Sequence, residues 1–130
     1  NVGNIIPNEI IPPASSQGVI AIQSTTNGNN EYQKQLKILL NKINDERAFF
    51  ETLAERSLLK TLDGSCRSPI SASAHFTDNK ELILYGAIAT LDGKKVIRSK
   101  ITGSIKDAIK LGEELGNKIK AQTNGDFLFK

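Results

Sequence analysis

The chain predicts an α+β fold: a three-stranded antiparallel sheet with helices packed on one face, in the order helix-helix-strand-strand-strand-helix, preceded by an extended segment with one short strand. Three observations carry this. Apolar residues recur at helical spacing between Leu36 and Leu62. Alternation with a period of two then takes over from Ile70, interrupted by the turn residues Asp78-Asn79-Lys80 and Leu91-Asp92-Gly93-Lys94. Helical spacing returns from Ile105 to Ile119.

Taken in order, residues 1–30 stand apart. Pro7, Pro12 and Pro13 punctuate them, and Val19-Ile20-Ala21-Ile22 reads as a short buried strand over residues 19–23, bounded by Gly18 and by Gln23-Ser24-Thr25. The polar run Thr25-Thr26-Asn27-Gly28-Asn29-Asn30 marks a linker. From Glu31 the first helix carries the stripe Leu36, Leu39, Leu40 and Ile43. Asn44 or Asp45 caps a second helix, whose stripe is Phe49, Phe50, Leu53, Leu58 and Leu62 and whose stop is Gly64.

Residues 69–76 alternate, with Ile70, Ala72, Ala74 and Phe76 on one face and Ser71, Ser73 and His75 on the other. Residues 81–89 place Leu82, Leu84, Gly86 and Ile88 opposite Ile83, Tyr85 and Ala87, and residues 95–102 close the meander through an Asp-Gly turn. The last helix presents Ile105, Ala108, Ile109, Leu111, Leu115 and Ile119, with Gly112 and Gly116 spaced for close packing on the sheet. Residues 126–130 are not placed by any pattern.

A chain of 130 residues supports one core and a single domain. With one cysteine and one histidine, it cannot form an internal disulfide framework, a cysteine-based zinc site or a His-rich metal site, so no metal is expected. No apolar run reaches the ~20 residues that span a bilayer, and none is flanked like a secretory leader. The net charge of +3 is uneven: Glu9 alone gives residues 1–30 a charge of −1, and residues 31–130 carry +4. A mild positive balance suits solubility or an acidic ligand and selects neither. The chain starts at Asn1 and contains no methionine, which fits a piece of a longer protein.

Cys66 lies in the most informative stretch, Leu62-Asp63-Gly64-Ser65-Cys66-Arg67-Ser68-Pro69-Ile70, preceded by Glu55-Arg56. A charged helical run ends at a small-residue turn that presents a thiol, and a strand follows. The stretch resembles the cofactor-attachment region of the hydroxymethylbilane synthases (porphobilinogen deaminases). There a Glu-Arg pair lies about ten residues before a Gly-small-Cys turn, which runs into a hydrophobic-Pro-hydrophobic sequence. Glu55-Arg56, Gly64-Ser65-Cys66 and Pro69-Ile70-Ser71 match; Ser68 departs, standing where a branched apolar residue is usual. A second segment, Ile11-Pro12-Pro13-Ala14-Ser15-Ser16-Gln17-Gly18-Val19, is similar to the family's Leu-Pro-Ala-Val-Gly-Gln-Gly-Ala. Ser15-Ser16 replace Val-Gly, so the turn before Gln17 is expected to differ slightly. The resemblance covers essentially the whole chain.

What it implies is specific. The family condenses four porphobilinogen molecules, with loss of ammonia, into hydroxymethylbilane on a dipyrromethane primer held through a cysteine thioether. Carried over, the attachment residue is Cys66, and Gln17 and Gly18 line the floor of the cleft. A thiolate suits a soft carbon electrophile, and Arg56, Lys60 and Arg67 are near enough in sequence to lower its pKa. Residues 1–30 would be a segment of the first domain plus linker, and residues 31–130 the C-terminal cofactor-carrying domain. The aspartate and most arginines serving the pyrrole chain would lie in the absent part, so no catalytic residue is assigned here. The fragment alone is expected to be inactive and to lack dipyrromethane. The full enzyme is expected to be a cytoplasmic (or plastid) monomer with no nucleic-acid or membrane partner.

Plainer readings compete at each position. A lone cysteine is most often a small buried hydrophobe. Arg56 is most simply an ion-pair partner of Glu51 or Glu55, and His75 an outward strand residue. A Cys66–His75 hydrolase pair lacks any orienting partner. The alternative function is a small basic RNA-binding domain of α-β-β-β-α type, which the element order suggests, but Lys94, Lys95, Lys100, Lys106 and Lys110 are scattered among acids and argue against it.

Overall fold

The computed structural model describes residues 3–25, 30–63, 69–79, 81–123 and 127. Helix α1 spans Glu31–Ile43 and α2 spans Glu46–Thr61; strands β1 (Ile70–Phe76), β2 (Glu81–Ala89) and β3 (Val96–Ser104) follow. A 3₁₀ turn, Ile105–Asp107, leads into α3, Ala108–Lys120. The three strands form one antiparallel sheet in the order β1-β2-β3. The order of elements is the one the sequence predicts.

Local chemistry explains the boundaries. Asn30 caps α1 by accepting the Gln33 N–H, and Asp45 caps α2 by accepting from Arg47 and Ala48. The Asp92-Gly93 turn joins β2 to β3, with Gly93 at φ 71°, a backbone that glycine adopts freely. There the Thr90 hydroxyl donates to Asp92 at 2.6 Å and holds that carboxyl below its usual range.

Helices α2 and α3 cover one face of the sheet. Leu58 and Leu62 from α2, Leu82 and Leu84 from β2, and Leu115 and Ile119 from α3 are fully buried there. Gly86, in the middle of β2, makes room for this layer: a Cβ at that position would stand 2.8 Å from Leu58 Cδ2. Gly112 and Gly116 do serve close packing, but against α2 rather than the sheet. A Cβ on Gly112 would lie 2.5 Å from the Ala54 carbonyl, and one on Gly116 would lie 2.6 Å from Thr61. The two helices touch along their backbones because α3 carries no side chain at these points.

Three expectations need correction. The helix stripes shift: Phe49 and Ile109 are exposed, and Ala54 joins Leu58 and Leu62 in the core. None of α1 is buried, and Ile43 is 67% exposed, so its apolar stripe takes no part in the core. Residues 19–23 form no strand, and Ile20 is 92% exposed. A strand needs an edge to bond, and the outer edge of β1 is already occupied. Its Ala72 N–H donates to the Pro13 carbonyl, and its next two outward N–H groups donate to carboxylates of α2.

The other face of the sheet is crossed by residues 8–13. Tyr85 O–H donates to Glu9 at 2.9 Å, Arg98 Nε donates to the Ile10 carbonyl at 3.0 Å, and the Asn8 amide meets His75 Nε2. Pro12 is buried beneath this strap. The face that alternation predicts to be polar is therefore partly covered, and Ser73 and Ala87 are buried on it.

Candidate functional site

The N-terminal segment turns sharply at residues 14–19. Gln17 N–H donates to the Ala14 carbonyl and Val19 N–H to the Ser16 carbonyl, closing two overlapping turns. Ser16 (φ 61°) and Gly18 (φ 81°) both sit in the left-handed region. Glycine takes this backbone without penalty, whereas a serine pays roughly 1 kcal/mol for it. Gln17 and Gly18 are exposed at the tip.

Glu55 holds this turn. It is only 8% exposed, and its two oxygens accept backbone N–H groups from different parts of the chain: Ser16 at 2.6 Å and Ala74 of β1 at 2.7 Å. One helical turn earlier, Glu51 accepts the Phe76 N–H at 3.1 Å. Burial pushes the Glu55 carboxyl above its usual range, outweighing the two N–H donors and the attraction of His75.

Around Glu55 lies a cavity of about 180 Å³, lined in part by Gln17, Glu51, Thr52, Ser73 and His75. The Ser73 hydroxyl and His75 Nε2 are 2.7 Å apart on its wall. Thr52 Oγ1 is buried with no hydrogen-bond partner among the described residues, as are the hydroxyls of Ser15 and Ser16.

Cys66 and the rest of residues 64–68 lie outside the described residues, so the thiol and Gly64 are not placed. The ends of that stretch are. Helix α2 stops at Thr61, Leu62 is buried, and Asp63 takes the left-handed backbone (φ 52°) that a helix stop requires. Lys120, at the end of α3, contacts Asp63 at 2.6 Å. On the far side, the Pro69 carbonyl accepts the Ala89 N–H at 2.9 Å. Both flanks of the Cys66 stretch are thus tied to the folded body.

Gln17 and Glu55 come together across the cavity. Arg56 does not join them: it is exposed, and among the described residues it has no carboxylate partner. Glu51 and Glu55, the partners expected for it, accept backbone N–H groups instead. His75 is exposed, as a strand residue facing away from the helices should be, and sits at the end of β1 remote from Pro69. The two glutamates act instead as acceptors for β1. Their signal was present, since Glu51 and Glu55 lie four residues apart beside the apolar Ala54 and Leu58.

Among the described residues no three His, Cys, Asp or Glu side chains cluster to hold a metal ion. No described helix is long and apolar enough to cross a membrane.

The chain is similar in sequence to known proteins. A family model described as "Porphobilinogen deaminase, C-terminal domain" matches residues 49–121, from the second turn of α2 through α3. The porphobilinogen deaminase of Prochlorococcus marinus subsp. pastoris (strain CCMP1986 / NIES-2087 / MED4) is 36% identical over 121 residues, covering 93% of this chain and 36% of that protein. That of Synechococcus sp. (strain CC9605) is 35% identical over 127 residues, covering 98% and 38%. The α+β unit therefore corresponds to the domain that this family model describes. The chain belongs to the porphobilinogen deaminase family, and it spans little more than a third of the length of these relatives.

Proposed function

We propose that the chain is the C-terminal part of a hydroxymethylbilane synthase and that Cys66 is the thioether anchor of its dipyrromethane. On this reading residues 31–130 form the cofactor-carrying domain, and residues 1–30 are the segment returning to the first domain. The complete enzyme, a cytoplasmic monomer, condenses four porphobilinogen molecules. The observation that carries the proposal is the family match across residues 49–121, a region that contains the only cysteine of the chain.

The residues suit the group. When bound, dipyrromethane supplies a pyrrole carbon on which the chain is extended. The protein supplies the sulfur of Cys66, in the stretch between α2 and β1 whose described flanks are fixed. Lys120 holds Asp63 on one side, and the β1–β2 ladder holds Pro69 on the other. Gln17 and Gly18 then line the cleft, where the exposed glycine lets a ligand approach the backbone. The RNA-binding alternative has no comparable support.

Intact mass tests the proposal. The chain expressed alone is expected at its sequence mass, without an adduct and without turnover of porphobilinogen. Joined to the amino-terminal two thirds of a relative, it is expected to gain a dipyrromethane that maps to the Cys66 peptide and disappears in Cys66→Ser. A joined enzyme that turns over porphobilinogen with Cys66 unmodified refutes it.

A further inference from the structure

We propose that Glu55 is a positioning residue for the cofactor site, fixing the Gln17–Gly18 turn onto the same helix that delivers the Cys66 stretch. The inference rests on the reading of Gln17 and Gly18 as cleft residues and adds what holds them in place.

Between Ala14 and Gly18, the hydrogen bond from Ser16 N–H to Glu55 is the turn's one such link to the rest of the protein among the described residues. The turn's own two bonds are longer, at 3.1 and 3.2 Å, and residues 19–22 beyond it are exposed. A left-handed serine followed by a left-handed glycine has little intrinsic reason to persist without an outside anchor. The anchor itself is rigid. Glu55 is buried, and its second oxygen is held by Ala74 N–H, so the carboxylate cannot swing away without opening the edge of β1.

From Glu55, α2 runs past the buried Leu58 to Thr61, an axial distance of about 9 Å at 1.5 Å per residue, and the buried Leu62 and then Asp63 follow it. One helix thus sets the spacing between the turn and the start of the Cys66 stretch. A neutral Gln at position 55 keeps the size but offers one acceptor oxygen in place of two. Its NH₂ group then faces one of the two N–H donors.

Amide hydrogen exchange on the full chain is the first test. Glu55→Gln is expected to accelerate exchange at Ser16 and the following turn amides at least tenfold while Leu58 and Leu115 remain protected. Glu51→Gln, which loses an acceptor for Phe76 but does not touch the turn, is expected to leave those amides unchanged. If Glu55→Gln does not fold, a backbone ester in place of the Ser16 amide removes the donor, and exchange is then read at Gln17 and Gly18, where an unchanged rate overturns the proposal equally. Unchanged exchange at Ser16 in the folded variant overturns the proposal.

In the complete enzyme, Glu55→Gln is expected to raise the KM for porphobilinogen at least fivefold with a smaller change in kcat. A loosened turn with unaltered kinetics also overturns the positioning role. Gln17→Ala separates this from the underlying reading: if it turns over porphobilinogen normally, the cleft assignment of Gln17 is what fails.

Discussion

Ser16 and Glu55, thirty-nine residues apart, are joined by a 2.6 Å bond from a backbone N–H to a buried carboxylate. The same carboxylate closes part of a sheet edge. On β1 the outward N–H groups of Ala72, Ala74 and Phe76 donate to the Pro13 carbonyl, Glu55 and Glu51 in turn. The period of two along the strand meets acceptors four residues apart on the helix. An edge that would otherwise recruit another strand is thereby saturated. The N-terminal segment gains its place by supplying one acceptor and one donor to this seam.

The charge state of Glu55 predicts a pH dependence. Its folded pKa is raised above the ordinary 4.5, chiefly by burial. A raised carboxyl favours the fold fully below the unfolded pKa, and that contribution is lost as pH rises through the folded value. The stability of Glu55→Gln relative to the parent should therefore increase with pH from about 4.5 upward. Chemical denaturation of both proteins at several pH values measures the gap. A parent advantage over the variant that widens as pH rises contradicts the assignment.

Ser16 offers a gain in stability. Its φ of 61° costs roughly 1 kcal/mol for a residue with a Cβ, and its hydroxyl is buried without a partner among the described residues. Ser16→Gly removes both penalties and keeps the N–H that Glu55 accepts. It is expected to stabilise the chain by about 1 kcal/mol, less the added freedom of glycine in the unfolded state. Comparison of denaturation midpoints checks this, and a loss of more than ~1 kcal/mol would show that the hydroxyl has a role.

Much of this was legible in the residues. Period-two alternation from Ile70 and the Asp92-Gly93 turn gave the meander, and Asp45 marked the start of α2, because these signals are local. Burial of Leu58, Leu62, Leu115 and Ile119 followed from helical spacing. The failures are non-local. Alternation cannot reveal that residues 8–13 cover the second face of the sheet and bury Ser73, or that Glu51 and Glu55 take the edge that residues 19–23 would have needed. Branched residues at 19–22 satisfy strand propensity, yet propensity supplies no partner. At the site, the bond from Ser16 to Glu55 was not legible, because the two residues lie thirty-nine positions apart and no local pattern joins them.

The seam between α2 and α3 predicts an order of tolerance among glycines. A Cβ on Gly112 meets the Ala54 carbonyl at 2.5 Å and the Leu58 nitrogen at 2.8 Å, both backbone atoms that move only if the helices part. A Cβ on Gly103 meets Leu111 Cδ2 at 2.8 Å, the free end of a flexible side chain. Gly112→Ala is expected to cost about 3 kcal/mol, even after the ~1 kcal/mol that alanine gains in a helix. Gly103→Ala is expected to cost about 1 kcal/mol or less. Thermal melts of the two variants decide the order, and its reversal would mean that α2 and α3 are not seated on one another.

The strap over the second sheet face is reported by a single phenol. Tyr85 donates its O–H to Glu9 at 2.9 Å, and a carboxylate so placed stabilises the phenol and repels the phenolate. The hydrogen bond to Glu9 is the largest cause of a Tyr85 pKa above the ordinary 10, with burial and the Glu9 charge adding to it. Glu9 is shifted the opposite way, first by its own backbone N–H and then by the Tyr85 bond. The pair is therefore intact across neutral pH and is lost as the phenol ionises, above pH 10, or as Glu9 is protonated in acid. Glu9→Gln removes the charge and should return the Tyr85 titration toward 10, which ring resonances followed by NMR would detect. Because Arg98 and Asn8 also fasten the strap, the variant should keep its sheet protected while the phenol shifts. If Tyr85 in the parent chain already titrates at 10 or below, residues 8–13 do not lie across the sheet in solution.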